Sequence, residues 1–208
     1  MHTLYWEKLS GGIAPELMLA ELSIPYEKVY VDMAAGEHLE DPYLSLNPTG
    51  QVPAMRFPDQ TIIGESAALV LALGEEFPGN GLVPTPEEQE RSFFMYWLLY
   101  MATTGYTTAG RVGHPERYTT DEGAIDSVLE AAKTHYDRFF GVVNQAIDGD
   151  PYFLKRGYSA LDIYLTMLSL WHYDVDKLNE ENPRVAKLCE AVKARPSYQE
   201  IIRAHALN

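Results

Sequence analysis

Thiols are almost absent from this 208-residue chain, which holds one cysteine, Cys189. A lone cysteine forms no intramolecular disulfide, so the fold has no disulfide framework, and a reducing cytoplasm is the expected setting. Cys189 falls with Val185, Leu188 and Val192 on the apolar face of a predicted helix, where a small buried residue is expected and not a redox centre. Long apolar runs are missing too. Nothing approaches the roughly 18 residues of a membrane-spanning helix, and the N-terminal stretch lacks a basic region followed by an apolar one. Basic residues are scarce: 16 Lys and Arg face 30 Asp and Glu, a formal net charge of −14. Such a surface repels phosphate backbones and anionic lipid, so neither nucleic acid nor membrane is an expected partner. The histidines show no ligand spacing such as H-E-x-x-H, and no metal is expected.

What is present is enough apolar content, 46%, for a sizeable core, in two halves of different texture. Up to about Phe77 the segments are short and mixed. His2–Trp6 and Tyr26–Val31 are rich in β-branched and aromatic residues and predict strands, with a helical stripe at Ala14, Leu17, Met18 and Leu22 between them. That order is a βαβ unit with parallel strands. Leu39–Leu46 reads as a short helix or irregular turn. Val52–Phe57 and Gln60–Ile63 read as a hairpin turning at Pro58 and Asp59, and a helix from Glu65 to about Phe77 closes the half. The succession βαβ then ββα resembles the thioredoxin fold.

Residues 78–86 are rich in Pro, Gly and Asn and read as a linker. From 87 to 208 the pattern is helical throughout. Ile125, Val128, Leu129, Ala132, Tyr136, Phe139, Phe140, Val143 and Ile147 keep helical spacing over six turns and stop before Asp150 and Pro151. Arg91–Met101, a stripe at Leu161, Leu165, Leu168 and Trp171, and the segments Val185–Val192 and Tyr198–His205 supply further helices. The expected fold is therefore α/β plus all-α: a thioredoxin-like domain over 1–77, a linker over 78–86 and a helical bundle over 87–208.

Two short motifs carry the chemistry. In Asn47-Pro48-Thr49-Gly50-Gln51-Val52-Pro53-Ala54, a tight turn delivers Val52 to a strand edge, and Pro53 cannot donate to a ladder. With a cis Val52–Pro53 bond, the amide and carbonyl of Val52 face outward, ready to pair with an extended peptide. An ordinary proline-containing loop is the plainer reading. Eleven residues beyond Pro53, Glu65 and Ser66 open a helix whose free amides and dipole favour an anion. Ser66 can donate to a carboxylate there and Glu65 can hold an ammonium, which together suit an α-amino-acid end group. Plain helix capping explains the same residues, and the two readings are compatible.

Gly36-Glu37-His38-Leu39, Leu46 to Pro53, and the helix-opening Glu65-Ser66 pair together resemble the cytosolic glutathione transferases, especially phi-, theta- and beta-like bacterial forms. The resemblance covers essentially the whole chain. It implies that glutathione is the co-substrate, its cysteinyl part on Val52 beside cis-Pro53, its γ-glutamyl end on Glu65 and Ser66, and His38 and Gln51 near its glycyl end. It also implies a homodimer, a role in detoxification, and an electrophile site between the domains, for which Tyr96, Tyr100, Met101, Tyr106, Arg111 and His114 are candidates. Core packing explains those aromatic residues equally well. Ser159-Ala160-Leu161-Asp162 is a capping box, similar to the family's buried one.

A free thiol titrates near about 8.5, so glutathione chemistry needs a donor that brings it down by roughly two pH units. The donor is expected in the Trp6–Gly12 loop, where Ser10 is the sole hydroxyl; Tyr5 is the alternative, and backbone amides alone the third. The resulting expectation is a transferase that attacks a small, partly apolar electrophile. Two rivals stay open: a glutathione-dependent isomerase or ether-cleaving enzyme, and a non-catalytic interaction module that has kept the fold.

Overall fold

The computed structural model describes residues 1–205, which condense into two compact units. The first spans Met1–Glu88 together with the segment from Arg195 onward; the second spans Gln89–Ala194.

In the first unit, His2–Trp6 forms β1, Ile13–Glu21 forms α1 and Tyr26–Tyr30 forms β2. β1 and β2 pair in parallel from His2↔Tyr26 to Trp6↔Tyr30, the expected βαβ crossover. A 3₁₀ turn at Glu37–Leu39 and a one-turn helix, α2 (Asp41–Leu44), lead to β3 (Ala54–Arg56), which pairs antiparallel with β1 and with β4 (Ile62–Gly64). The sheet order is β2-β1-β3-β4, and α3 (Ser66–Glu76) follows. β3 is shorter than the Val52–Phe57 strand expected from sequence, because Pro53 has no N–H for the ladder. Strand alternation splits the side chains between two faces. Leu4 is buried with Leu17, Met18, Leu69 and Leu73 of α1 and α3, whereas Tyr5 packs in a smaller core with Val31, Tyr43, Val52 and Ala54.

The tail read on sequence as part of the bundle instead forms α10 (Pro196–His205), which packs against α1 of the first unit. Arg195 donates two hydrogen bonds to the Glu21 carboxylate, at 2.7 and 2.6 Å, and the Ser197 hydroxyl donates a third. Residues 206–208 lie outside the described part.

The second unit is helical: α4 (Arg91–Tyr100), a π-helical segment (Met101–Tyr106), α5 (Thr107–Gly113), α6 (Ile125–Ala146), α7 (Ala160–Ser169), α8 (Val175–Glu181) and α9 (Pro183–Lys193). α7 is buried on every side, as a sequence with almost no charge should be. Its one acid is Asp162, in the capping box: Oδ2 accepts the Ser159 N–H at 2.7 Å, and Oδ1 accepts the Phe153 N–H at 2.7 Å. Burial outweighs these bonds and pushes the Asp162 carboxyl up to about 6. Gly105 lets the π-helical segment approach α6 and α7, since a Cβ there would lie 2.6 Å from Phe139 and 2.8 Å from Leu168.

Candidate active site

The loop from β1 to α1 turns on Leu9, which adopts the left-handed conformation (φ 52°) at a cost of roughly 1–2 kcal/mol for a residue with a side chain. Beside it, the Ser10 hydroxyl donates to the Glu7 carbonyl at 2.7 Å and accepts the Gly12 N–H at 3.2 Å. α1 begins without a side-chain cap, and among the described residues the N–H groups of Gly11 and Ala14 make no hydrogen bond. Ser10 thus takes up the Gly12 and Ile13 N–H groups through its hydroxyl and carbonyl, and the Gly11 and Ala14 amides remain at the positive end of the helix dipole, an arrangement suited to an anion.

Gly12 is where the loop meets the proline edge. A Cβ on it would stand 3.2 Å from Ser10 Oγ, 3.3 Å from Trp6 Cβ and 3.9 Å from Pro53 Cβ. The Val52–Pro53 bond is cis, and among the described residues the amide and carbonyl of Val52 make no hydrogen bond. Two buried side chains hold that edge in place. Tyr43 donates its hydroxyl to the Gln51 carbonyl at 2.6 Å, and Asn47 Nδ2 donates to the same oxygen at 2.8 Å. Asn47 Oδ1 also accepts the Thr49 N–H and hydroxyl, at 3.3 and 2.9 Å, closing the turn on itself. Burial raises the pKa of Tyr43 and keeps it a donor.

β4 carries the chain from the Pro53 edge to α3, with Ala54 opposite Gly64. Glu65 follows at φ 62°, a conformation rare outside glycine, and stands exposed at the helix start, while Ser66 is buried in the first turn. At the other end, Gly50 (φ 62°) brings its backbone close to the His38 carbonyl; His38 is half-buried and its Nδ1 is enclosed without a hydrogen bond. Ser10, Gly12, Pro53, Val52, Gln51 and His38 are thus linked by direct contact or chain neighbourhood, and Gly64 joins Glu65 and Ser66 to them. Tyr5 is placed differently. Its ring packs 6.1 Å from that of Tyr43 in the small core, while its neighbour Trp6 turns to the opposite face.

The candidates in the second unit fall into three groups. Tyr96 and Tyr100 stack along α4 at 6.4 Å, with Tyr100 resting on Phe139 at 5.5 Å. Tyr106, in the π-helical segment, meets Trp171 edge-on at 5.0 Å, and Met101 is fully buried. Arg111 lies 5.2 Å over the Tyr118 ring, and the exposed His114 is 3.5 Å from Glu116. Among the described residues, no group of three or more His, Cys, Asp or Glu is placed to hold a metal ion, and no helix is long and apolar enough to cross a membrane. Asn47 and Tyr43 were not singled out on sequence. The Asn-Pro-Thr-Gly turn was the available signal for Asn47, whereas nothing local marks Tyr43.

A thioredoxin-like sheet whose inner strand β3 is preceded by a cis-proline and the unpaired backbone groups of Val52, beside a helix start with two unpaired amides, defines a frame suited to an extended peptide with an anionic group. Comparison with known proteins narrows that reading. Residues 15–76 match the N-terminal domain of glutathione S-transferases. The chain is 29% identical over 210 residues to the glutathione S-transferase GstA of Escherichia coli O157:H7, covering 98% of both chains. It is 30% identical to the glutathione S-transferase-like protein OpS6 of Beauveria bassiana, over 91% of this chain and 88% of the other. A glutathione transferase homologue from Sulfitobacter, solved with bound glutathione, superposes with a TM-score of 0.89 at 26% identity, covering 100% of this chain and 99% of that one. The chain belongs to the glutathione S-transferase family and is a glutathione-dependent transferase.

Proposed function

We propose that glutathione lies extended along the Val52 edge with its thiolate held at the start of α1, and that this thiolate attacks a small, partly apolar electrophile. The sulfur displaces a leaving group on carbon, a C–S bond forms and the leaving group departs with the bonding electrons. The protein contributes position and charge stabilisation, with no covalent intermediate of its own. The observation that carries this reading is the convergence of Ser10, Gly12 and cis-Pro53 on one point between two unpaired sets of backbone groups.

In this reading the Val52 amide and carbonyl pair with the cysteinyl residue, Glu65 and Ser66 receive the γ-glutamyl ammonium and carboxylate, and His38 and Gln51 face the glycyl end. Ser10 exchanges its bond to the Glu7 carbonyl for one to the thiolate, which favours the exchange because charge-assisted bonds are about twice as strong as neutral ones. The amides of Gly11 and Ala14 add the helix-terminal field, worth roughly 0.3–2 kcal/mol. Tyr5, in the small core, serves as a sheet residue. Tyr96, Tyr100 and Tyr106 offer ring faces to the apolar part of the electrophile, and Arg111 and His114 offer positive charge to an anionic or carbonyl group. A homodimer in a reducing cytoplasm, with a detoxifying role, completes the proposal. Calorimetry with glutathione, followed by a turnover screen of alkyl and aryl halides, tests it. No glutathione binding at millimolar concentration refutes it.

A further inference from the structure

Beneath the Glu7–Gly12 loop lies a buried polar cluster that the chemistry above leaves unused. Glu16 of α1 is 1% exposed and His205 of α10 is fully buried, and His205 Nε2 meets Glu16 Oε2 at 2.7 Å. The other carboxylate oxygen accepts from the Tyr26 hydroxyl at 2.9 Å and from Lys28 Nζ at 2.5 Å. Lys28 Nζ also stands 3.4 Å over the centre of the Trp6 ring, against which the His205 imidazole packs edge-on at 4.7 Å. Burial alone would raise the Glu16 carboxyl, but the bonds from His205 and Lys28 outweigh it and hold the group below its ordinary value, so it is ionised.

The second ring nitrogen of His205, Nδ1, lies 3.2 Å from the N–H of Leu9. A backbone N–H only donates, so Nδ1 must present its lone pair, and the ring hydrogen sits on Nε2 and points at Glu16. Glu16 thereby selects the tautomer that can receive Leu9. Leu9 is the left-handed residue on which the loop turns, immediately before Ser10.

We propose that His205 is a positioning residue for the thiol-activating loop: by accepting the Leu9 N–H it holds the Leu9 turn, and through it Ser10 and the first amides of α1, in register with the thiolate. The proposal rests on the reading of that loop as the thiol-activating element. A side chain that merely filled space under Trp6 would be indifferent to which ring nitrogen is replaced, and that difference is what the test exploits. His205→Asn keeps an acceptor near the Nδ1 position and gives up the donor to Glu16. His205→Gln keeps a donor near the Nε2 position and gives up the acceptor for Leu9.

In the full-length protein, His205→Gln should speed exchange of the Leu9 amide with deuterium about tenfold, the worth of about one neutral hydrogen bond. It should also lower kcat by a similar factor, with KM for glutathione within about twofold. His205→Asn should keep both near wild type, even though its melting temperature falls. Equal effects of the two variants on Leu9 exchange would mean packing only and overturn the proposal, as would altered exchange with unchanged kcat. Leu9→Gly gives a second route should either histidine variant fail to fold, since glycine adopts the left-handed turn unaided yet leaves the loop looser; a kcat unmoved by it also overturns the proposal. If wild type binds no glutathione while Leu9 exchange follows the expected pattern, the thiol-activating reading fails and the His205–Leu9 contact stands.

Discussion

Replacing Ser10 by alanine removes one hydroxyl and disturbs two hydrogen bonds. In the free protein the hydroxyl donates to the Glu7 carbonyl and accepts from Gly12. With glutathione bound, the donor turns to the thiolate. A hydrogen bond to a charged group contributes roughly 1.5–3 kcal/mol and the neutral bond it replaces about 1, so the net gain is on the order of 1 kcal/mol. At 1.36 kcal/mol per pH unit, that lowers the bound thiol by nearly one unit. The remainder of the roughly two-unit drop falls to the Gly11 and Ala14 amides, which the substitution leaves in place. Ser10→Ala should therefore raise the pKa of bound glutathione by about 0.5–1 unit and, because a thiol at about 6.5 is already mostly ionised at pH 7, lower kcat there only about 1.5- to threefold. Titrating the ultraviolet absorbance of the thiolate in the binary complex, beside glutathione affinity by calorimetry, measures both parts. An unchanged thiolate titration in a variant that still binds glutathione would refute the exchange and assign activation to the amides alone.

Asn47→Ala removes the Nδ2 donor to the Gln51 carbonyl and the turn-closing acceptor for Thr49, and should raise KM for glutathione about tenfold with little change in kcat at saturation; a KM within twofold of wild type would contradict this. Gly105→Ala gains up to ~1 kcal/mol of helix propensity but forces a methyl to within 2.6 Å of Phe139, so a net loss of roughly 1–3 kcal/mol is expected in denaturant unfolding; a variant as stable as wild type would contradict this. Burial pushes the Asp162 carboxyl up to about 6 when folded, from an ordinary 3.8, so the folded state holds its proton more tightly than the unfolded state does. Its contribution is fully present below about pH 4 and is lost as pH rises through about 6. The second unit should therefore gain at most ~3 kcal/mol between about pH 7.5 and pH 4 from this group, a gain that Asp162→Asn abolishes in pH-dependent melting.

How much of this was legible in the sequence depended on distance along the chain. α1, α3 and α6 stand where local periodicity puts them, because each buries one face regular enough to show as a stripe, whereas β1 and β2 were legible from their β-branched and aromatic content. Helix α5 was missed because its start, Thr107-Thr108, follows Thr103-Thr104-Gly105, a run poor in helix propensity. The helical path survives there with the Thr103 and Thr107 hydroxyls donating to the Leu99 and Thr103 carbonyls, four residues back in each case. Helix α8 buries only Leu178 and shows no stripe, although Asp174 caps it by accepting the Lys177 N–H at 3.0 Å. Within the site, the Asn47–Pro53 turn and the Glu65–Ser66 pair could be found because each is continuous in sequence. The Glu16–His205 contact joins residues 189 positions apart, and His205 looked like any polar residue near the end of an amphipathic helix.

The placement of α10 makes the second unit an insertion, running from Gln89 to Ala194, within the first. During synthesis the sheet and its first helices emerge early, but the buried Glu16 carboxylate has no imidazole beside it until residue 205 has been made. A fragment ending at Glu88 would carry every strand of the sheet and every proposed glutathione contact, yet leave α1 without the helix that covers it. Such a fragment should express as an aggregation-prone half-domain, and joining residues 195–208 to it through a short flexible linker should restore a folded glutathione-binding unit.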